Sequence, residues 1–111
     1  MMLEQGDIVL IPFPFTDLST TKQRPALVIS KSEYNKKTED IITCGITSNL
    51  QNSDYSILID NGDLAGGTLP MRSRIKVDKI FTLKQSLVRK TVAKLKTASF
   101  ATVKEELLKL I

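Results

Sequence analysis

"SRIKVDKIFTL", Ser73 to Leu83, begins as a strand and then breaks its own rule. Ile75 and Val77 alternate against Arg74, Lys76 and Asp78, the period of two that sends successive side chains to opposite faces of a sheet. At Lys79, Ile80 and Phe81 the phase slips, the mark of a β-bulge or of a corner where the strand bends. A long strand that bends belongs to a strongly curved sheet or a small barrel, and the flanking sequence agrees. "DIVLI" (Asp7–Ile11) reads as a short strand stopped by Pro12 and Pro14, and "PALVIS" (Pro25–Ser30) as one apolar enough to be covered on both faces. "DIITCGI" from Asp40 and "YSILID" from Tyr55 supply two more strands.

The connections are polar. "PFPFTDLSTTKQ" (Pro12–Gln23) is a proline-punctuated loop, longer than the ~2–5 residues usual for a hairpin. "SEYNKKTED" reads as a turn region, "TSNLQNSD" as a second loop and "NGDLAGG" as a tight connection. After these the period changes. Phe100, Val103, Leu107 and Leu110 recur at helical spacing, with Thr97 or Ser99 as N-cap candidates. Short strands followed by one amphipathic helix predict a mainly β fold, a small barrel with a C-terminal helix packed on it, in one domain over residues 1–111.

Composition narrows the chemistry. With 41% hydrophobic residues the 111-residue chain can build one modest core, and 25% charged residues without low-complexity tracts argue against disorder. No stretch approaches the ~18 apolar residues of a membrane span. "MMLEQGD" lacks the basic-then-apolar order of a signal peptide, so a cytoplasmic location is expected, and the single Cys44 fits a reducing compartment. With no His and one Cys, zinc sites and Ser-His-Asp or Cys-His catalysis are excluded; a carboxylate magnesium site stays open, although the acids are scattered and show no ligand spacing. No cofactor is expected. A net charge of +4 points mildly to an anionic partner.

"KQRPALVIS" (Lys22–Ser30) places a cation directly before the proline that opens a strand. Pro25 forces the preceding residue into extended backbone, so the main chain of Arg24 is held at the strand entrance. Arg24 is either an anchored site residue or a strand-end cation in solvent.

"GDIVLIPF", then "KQRPALVIS", then "DIITCGITSN", in that order and followed by "SRIKVDKIFTL" and a closing helix, resembles the PemK/MazF-like family of toxins over nearly the whole chain. The resemblance implies an SH3-like barrel working as a homodimer. It implies a toxin of a type II toxin–antitoxin pair that cuts single-stranded RNA, mRNA included, at short sequences, without a metal and by attack of the 2′-hydroxyl. It further implies an acidic cognate antitoxin and no membrane partner. By the same resemblance Arg24 matches the catalytic arginine and Thr47 the catalytic threonine. If the two strands are antiparallel neighbours, both residues fall at one end of the barrel. Lys22, Gln23, Ser48, Arg72, Arg74 and Lys76 are candidate RNA contacts, with a solvated strand face or turn as the plain alternative. Phe13 and Phe15 stack on a base, grip a partner or plug the core. Many relatives carry a glutamine and an arginine where this chain has Asp78, Lys79 and Phe81, so their cleavage preference does not transfer. Two other readings remain at this point: a gyrase-poisoning toxin of the same fold, and a non-catalytic SH3-like binding module.

Overall fold

The computed structural model describes residues 2–12 and 23–111. Phe13, Phe15, Lys22 and the body of the long loop lie outside the described residues.

Among the described residues seven strands form one antiparallel sheet: β1 (Asp7–Pro12), β2 (Gln23–Val28), β3 (Asp40–Thr47), β4 (Ser56–Ile59), β5 (Leu64–Gly67), β6 (Ser73–Lys84) and β7 (Lys90–Leu95). Their spatial order is β4-β6-β3-β2-β1-β7-β5. The two outermost strands, β4 and β5, are consecutive in the chain and joined by the 3-10 turn Asn61–Asp63. A connection this short spans only about 3.3–3.6 Å per residue, so the edges must approach one another and the sheet must curl. The result is the curled half-barrel of the SH3-like class, closed by a C-terminal helix, α2 (Thr97–Leu108).

Strand alternation produces two apolar clusters. Ile8, Leu27, Cys44, Ile46, Ile75, Val77 and Leu95 fill the one joined by Val103, Phe100 and Leu107 of α2. Val9, Ile11, Ala26, Val28 and Ile41 form the other, covered by Leu3, Val88 and half-buried Phe81 and Leu83. Leu27 and Val28 are both fully buried, so β2 is covered on both faces as its apolar run predicts.

The phase break in β6 is a bulge. On β3 the partners step from Cys44 to Gly45, while on β6 they jump from Ile80 to Lys76. Val77, Asp78 and Lys79 are looped out of the pairing; Val77 keeps its side chain in the core, Asp78 and Lys79 are exposed, and Ile80, exposed as well, resumes the ladder opposite Cys44. Beyond the bulge, Phe81 and Leu83 face the second cluster.

Three local expectations are corrected. "SEYNKKTED" holds a short helix, α1 (Ser32–Lys37), anchored by buried Asn35. Asn35 accepts a hydrogen bond from Ser30 Oγ and donates to the carbonyl of Leu3 at 3.0 Å. "NGDLAGG" is a 3-10 turn and then strand β5, and strand β7 is an addition. The residue at the N-cap of α2 is Lys96, without a side-chain bond, whereas Ser99 donates to Asp63 Oδ1 at 2.9 Å. Among the described residues no helix is long and apolar enough to cross a membrane.

Candidate functional site

The end of the sheet where β2 begins and β3 stops gathers the chemistry. The strands are antiparallel neighbours, with Ala26 opposite Gly45. Arg24 stands near the start of β2 and Thr47 at the end of β3, so the two lie at the same end of this antiparallel pair, which meets the condition set by the sequence. Both line a cavity of about 410 Å³ together with Lys76, Lys79, Ile80 and Phe81. A second compartment, of about 490 Å³, shares Thr47, Lys76 and Lys79 and is walled by Asn49, Gln51 and Asn52. Among the described residues no acidic side chain lines either compartment. Three cations around a concave surface whose described lining holds no acid make a site suited to an anion.

Each side chain owes its place to a local device. Arg24 is half-buried and its backbone lies opposite Ile11 of β1, held extended by Pro25. Thr47 ends β3, and its Oγ1 accepts from the Asn49 N–H at 3.1 Å, which turns the chain into the polar loop. Asn49 Oδ1 in turn accepts from the Gln51 N–H at 3.0 Å, so Asn49 is both a turn former and part of the wall. Lys76 donates to Ser53 Oγ at 2.6 Å. Lys79 reaches both compartments because the bulge extrudes it.

The remaining candidates scatter. Gln23 and Ser48 line a neighbouring cavity, on the other side of Arg24, with Pro70 and Met71. Arg72 is exposed and lines neither compartment. Arg74 is only 9% exposed and donates from Nη1 to Ser56 Oγ at 3.1 Å, so it is no solvated surface residue. Lys79, Gln51 and Asn52 join the site without having stood out in the sequence; their only signal is a break in alternation and a run of amides in a loop. Cys44 is buried in apolar surroundings, and burial pushes its thiol up to about 12. No cluster of three or more His, Cys, Asp or Glu that could hold a metal ion is found among the described residues.

Fold and site together define a small curled β-barrel protein with a cationic cleft at the ends of adjacent strands. Residues 4–111 match the family model described as PemK-like, MazF-like toxin of type II toxin–antitoxin system, and the chain belongs to that family. No curated protein sequence matches it. Among solved structures it is similar to an endoribonuclease in complex with its cognate antitoxin from a mycobacterial species, at TM-score 0.77 and 15% identity, covering 96% of this chain and 92% of that one. A MazE–MazF complex from Deinococcus radiodurans gives TM-score 0.76 at 22% identity, covering 99% and 95%. The Mycobacterium tuberculosis toxin MazF-mt6 gives 0.75 at 14% identity, covering 93% of each chain. At these identities the likeness speaks for the fold.

Proposed function

We propose that the chain is a metal-independent, sequence-selective endoribonuclease toxin acting on single-stranded RNA in the cytoplasm, as a homodimer restrained by an acidic antitoxin. The observation that carries this reading is the placement of Arg24 and Thr47 at one end of an antiparallel strand pair, in one cation-lined cavity. RNA brings its own nucleophile. The 2′-oxygen bonds to the adjacent phosphorus as its proton passes to water, and the bond from phosphorus to the 5′-oxygen breaks, that oxygen taking a proton from water, to leave a 2′,3′-cyclic phosphate and a 5′-hydroxyl. The phosphorane between these states gathers negative charge on its non-bridging oxygens. A guanidinium answers that charge with two parallel hydrogen bonds, a geometry an ammonium lacks. Arg24 takes that role. The Thr47 hydroxyl orients the 2′-hydroxyl or bonds the phosphate, being too weakly basic to hold the proton. With no general base lining the cavity among the described residues, a group whose usual contribution is about 10²–10⁴ in rate, turnover is slow and the biological effect comes from the number of sites cut. Gln23, Ser48 and Lys22 flank Arg24 in sequence or space and serve as RNA contacts, as does exposed Arg72.

The test is incubation of purified protein with a long RNA, with and without EDTA, beside Arg24→Ala. Cleavage that persists in EDTA, leaves cyclic-phosphate ends and vanishes in the variant is expected. Cleavage abolished by EDTA overturns the mechanism. Intact RNA with inhibited gyrase, or with neither effect, points to the two rival readings.

A further inference from the structure

Arg74 is the odd residue of β6. Its backbone lies between Thr47 of β3 and Leu58 of β4, and its side chain is nine-tenths buried. No carboxylate is within ion-pair distance of it among the described residues. Its Nε is buried without a hydrogen-bond partner. A buried guanidinium without an ion-pair partner among the described residues costs more than an apolar side chain packed in its place.

What Arg74 does touch is a chain of hydroxyls that ends in the cleft. Its Nη1 donates to Ser56 Oγ at 3.1 Å, and Ser56 Oγ donates to the Ser53 carbonyl at 2.6 Å. Ser53 Oγ donates to Ser56 Oγ at 3.2 Å and accepts from Lys76 Nζ at 2.6 Å. Ser56 Oγ thus accepts twice and donates once, which saturates it and leaves the hydroxyls one orientation. Lys76 spends one of its three donors on Ser53 and lines both compartments of the cleft with the others available to a ligand.

We infer that Lys76 binds the phosphate flanking the scissile one, and that Arg74 is a positioning residue that holds Lys76 there through Ser56 and Ser53. The inference rests on the RNA reading above. Lys76 lines both the compartment of Arg24 and Thr47 and the one beside it, so a strand running from the reacting phosphate into that second compartment passes its ammonium. Arg74 lends the crossing a fixed positive potential without itself meeting solvent. A flanking phosphate keeps its charge throughout the reaction, so this contact is made equally in ground and transition states and acts on KM.

The experiment uses an RNA oligonucleotide carrying one mapped cleavage site, with each flanking phosphate replaced in turn by an uncharged methylphosphonate. Wild-type protein should lose about tenfold in kcat/KM at one flanking position, the size of one charge-assisted hydrogen bond. Lys76→Met should show a similar loss on unmodified RNA, carried by KM, and no further loss at that position. Its salt dependence should flatten by about 0.7 in log–log slope, one phosphate contact fewer. Ser53→Ala and Arg74→Met should raise KM in the same direction, and Arg74→Lys should restore part of it. Should Arg74→Met fail to fold, Lys76→Met and Ser53→Ala decide the matter. Additive losses at every flanking position, or a wild-type KM in Lys76→Met, overturn the inference while the RNA reading stands. Wild-type protein that cuts no RNA overturns both.

Discussion

Arg24 draws its meaning from the residue that follows it. A cation locked before a proline at the root of a strand is legible from two adjacent letters, and Thr47 from its place at the end of an apolar run. Their meeting depends on strand order, which only the paired register of β2 and β3 decides. Arg74 and Lys79 are harder to read. Charge in an alternating strand suggests a solvent-facing side chain, yet Arg74 is buried by β4, and Lys79 reaches the site only because three residues are extruded against one step of β3. Arg24→Ala should slow single-turnover cleavage by at least about 10²-fold, the usual cost of one preorganised donor, and Arg24→Lys should recover little. Near-wild-type cleavage by Arg24→Ala would refute the role. At the same scale, Cys44 bears on reactivity. Burial holds its thiol near 12, so almost no thiolate exists at pH 8 and the folded protein should resist maleimide. Labelling is expected only on unfolding in guanidinium; prompt labelling of the native protein would contradict the burial.

Elements divide by how much apolar surface they bury. β1, β2 and β3 are plain in the sequence because both clusters draw on them, and the bulge because a broken period is itself a signal. β7 is silent there: Lys90 and Lys94 interrupt it, and of its two core residues, Ala93 and Leu95, the first has little strand preference. α1 is six residues long and held by the side chain of Asn35 and not by an apolar stripe, so helical periodicity cannot disclose it. The glycine-rich stretch after Asp63 resembles a turn because it is a strand with a special need. Gly67 has φ of +73°, and a Cβ there would collide with the Val92 carbonyl oxygen and the backbone of Ala93. Gly67→Ala should therefore cost more than the ~1–3 kcal/mol of backbone strain alone, since β5 must lift from β7. Urea unfolding measures it; an unchanged midpoint would show that the β5–β7 contact is dispensable.

At the scale of the whole molecule, assembly follows from what β6 leaves open. From Ile80 to Lys84 it is paired with β3 on one side and with no strand on the other among the described residues, and Ile80 there is 45% exposed. An open edge beside an exposed apolar residue invites cover, and a two-fold homodimer is the commonest closed assembly. Sedimentation at micromolar concentration should give twice the chain mass; a monomer counts against it. The same edge runs into the cleft, which shapes restraint by an antitoxin. The net charge of +4 and a cleft lined by Arg24, Lys76 and Lys79, with no acid among its described lining residues, favour an extended acidic segment. Ile80 and Phe81 in the same cavity give that segment apolar anchors. Such a segment, disordered alone, would order on the toxin, offsetting its entropy cost by length of contact. Its carboxylates would stand where RNA phosphates must go, so inhibition should be competitive. Titrating the candidate antitoxin at several RNA concentrations should raise the half-inhibiting dose as RNA rises. Added salt should weaken binding only in part, because apolar anchors are not screened. A half-inhibiting dose indifferent to RNA concentration would place the antitoxin away from Arg24 and make its action on this site indirect.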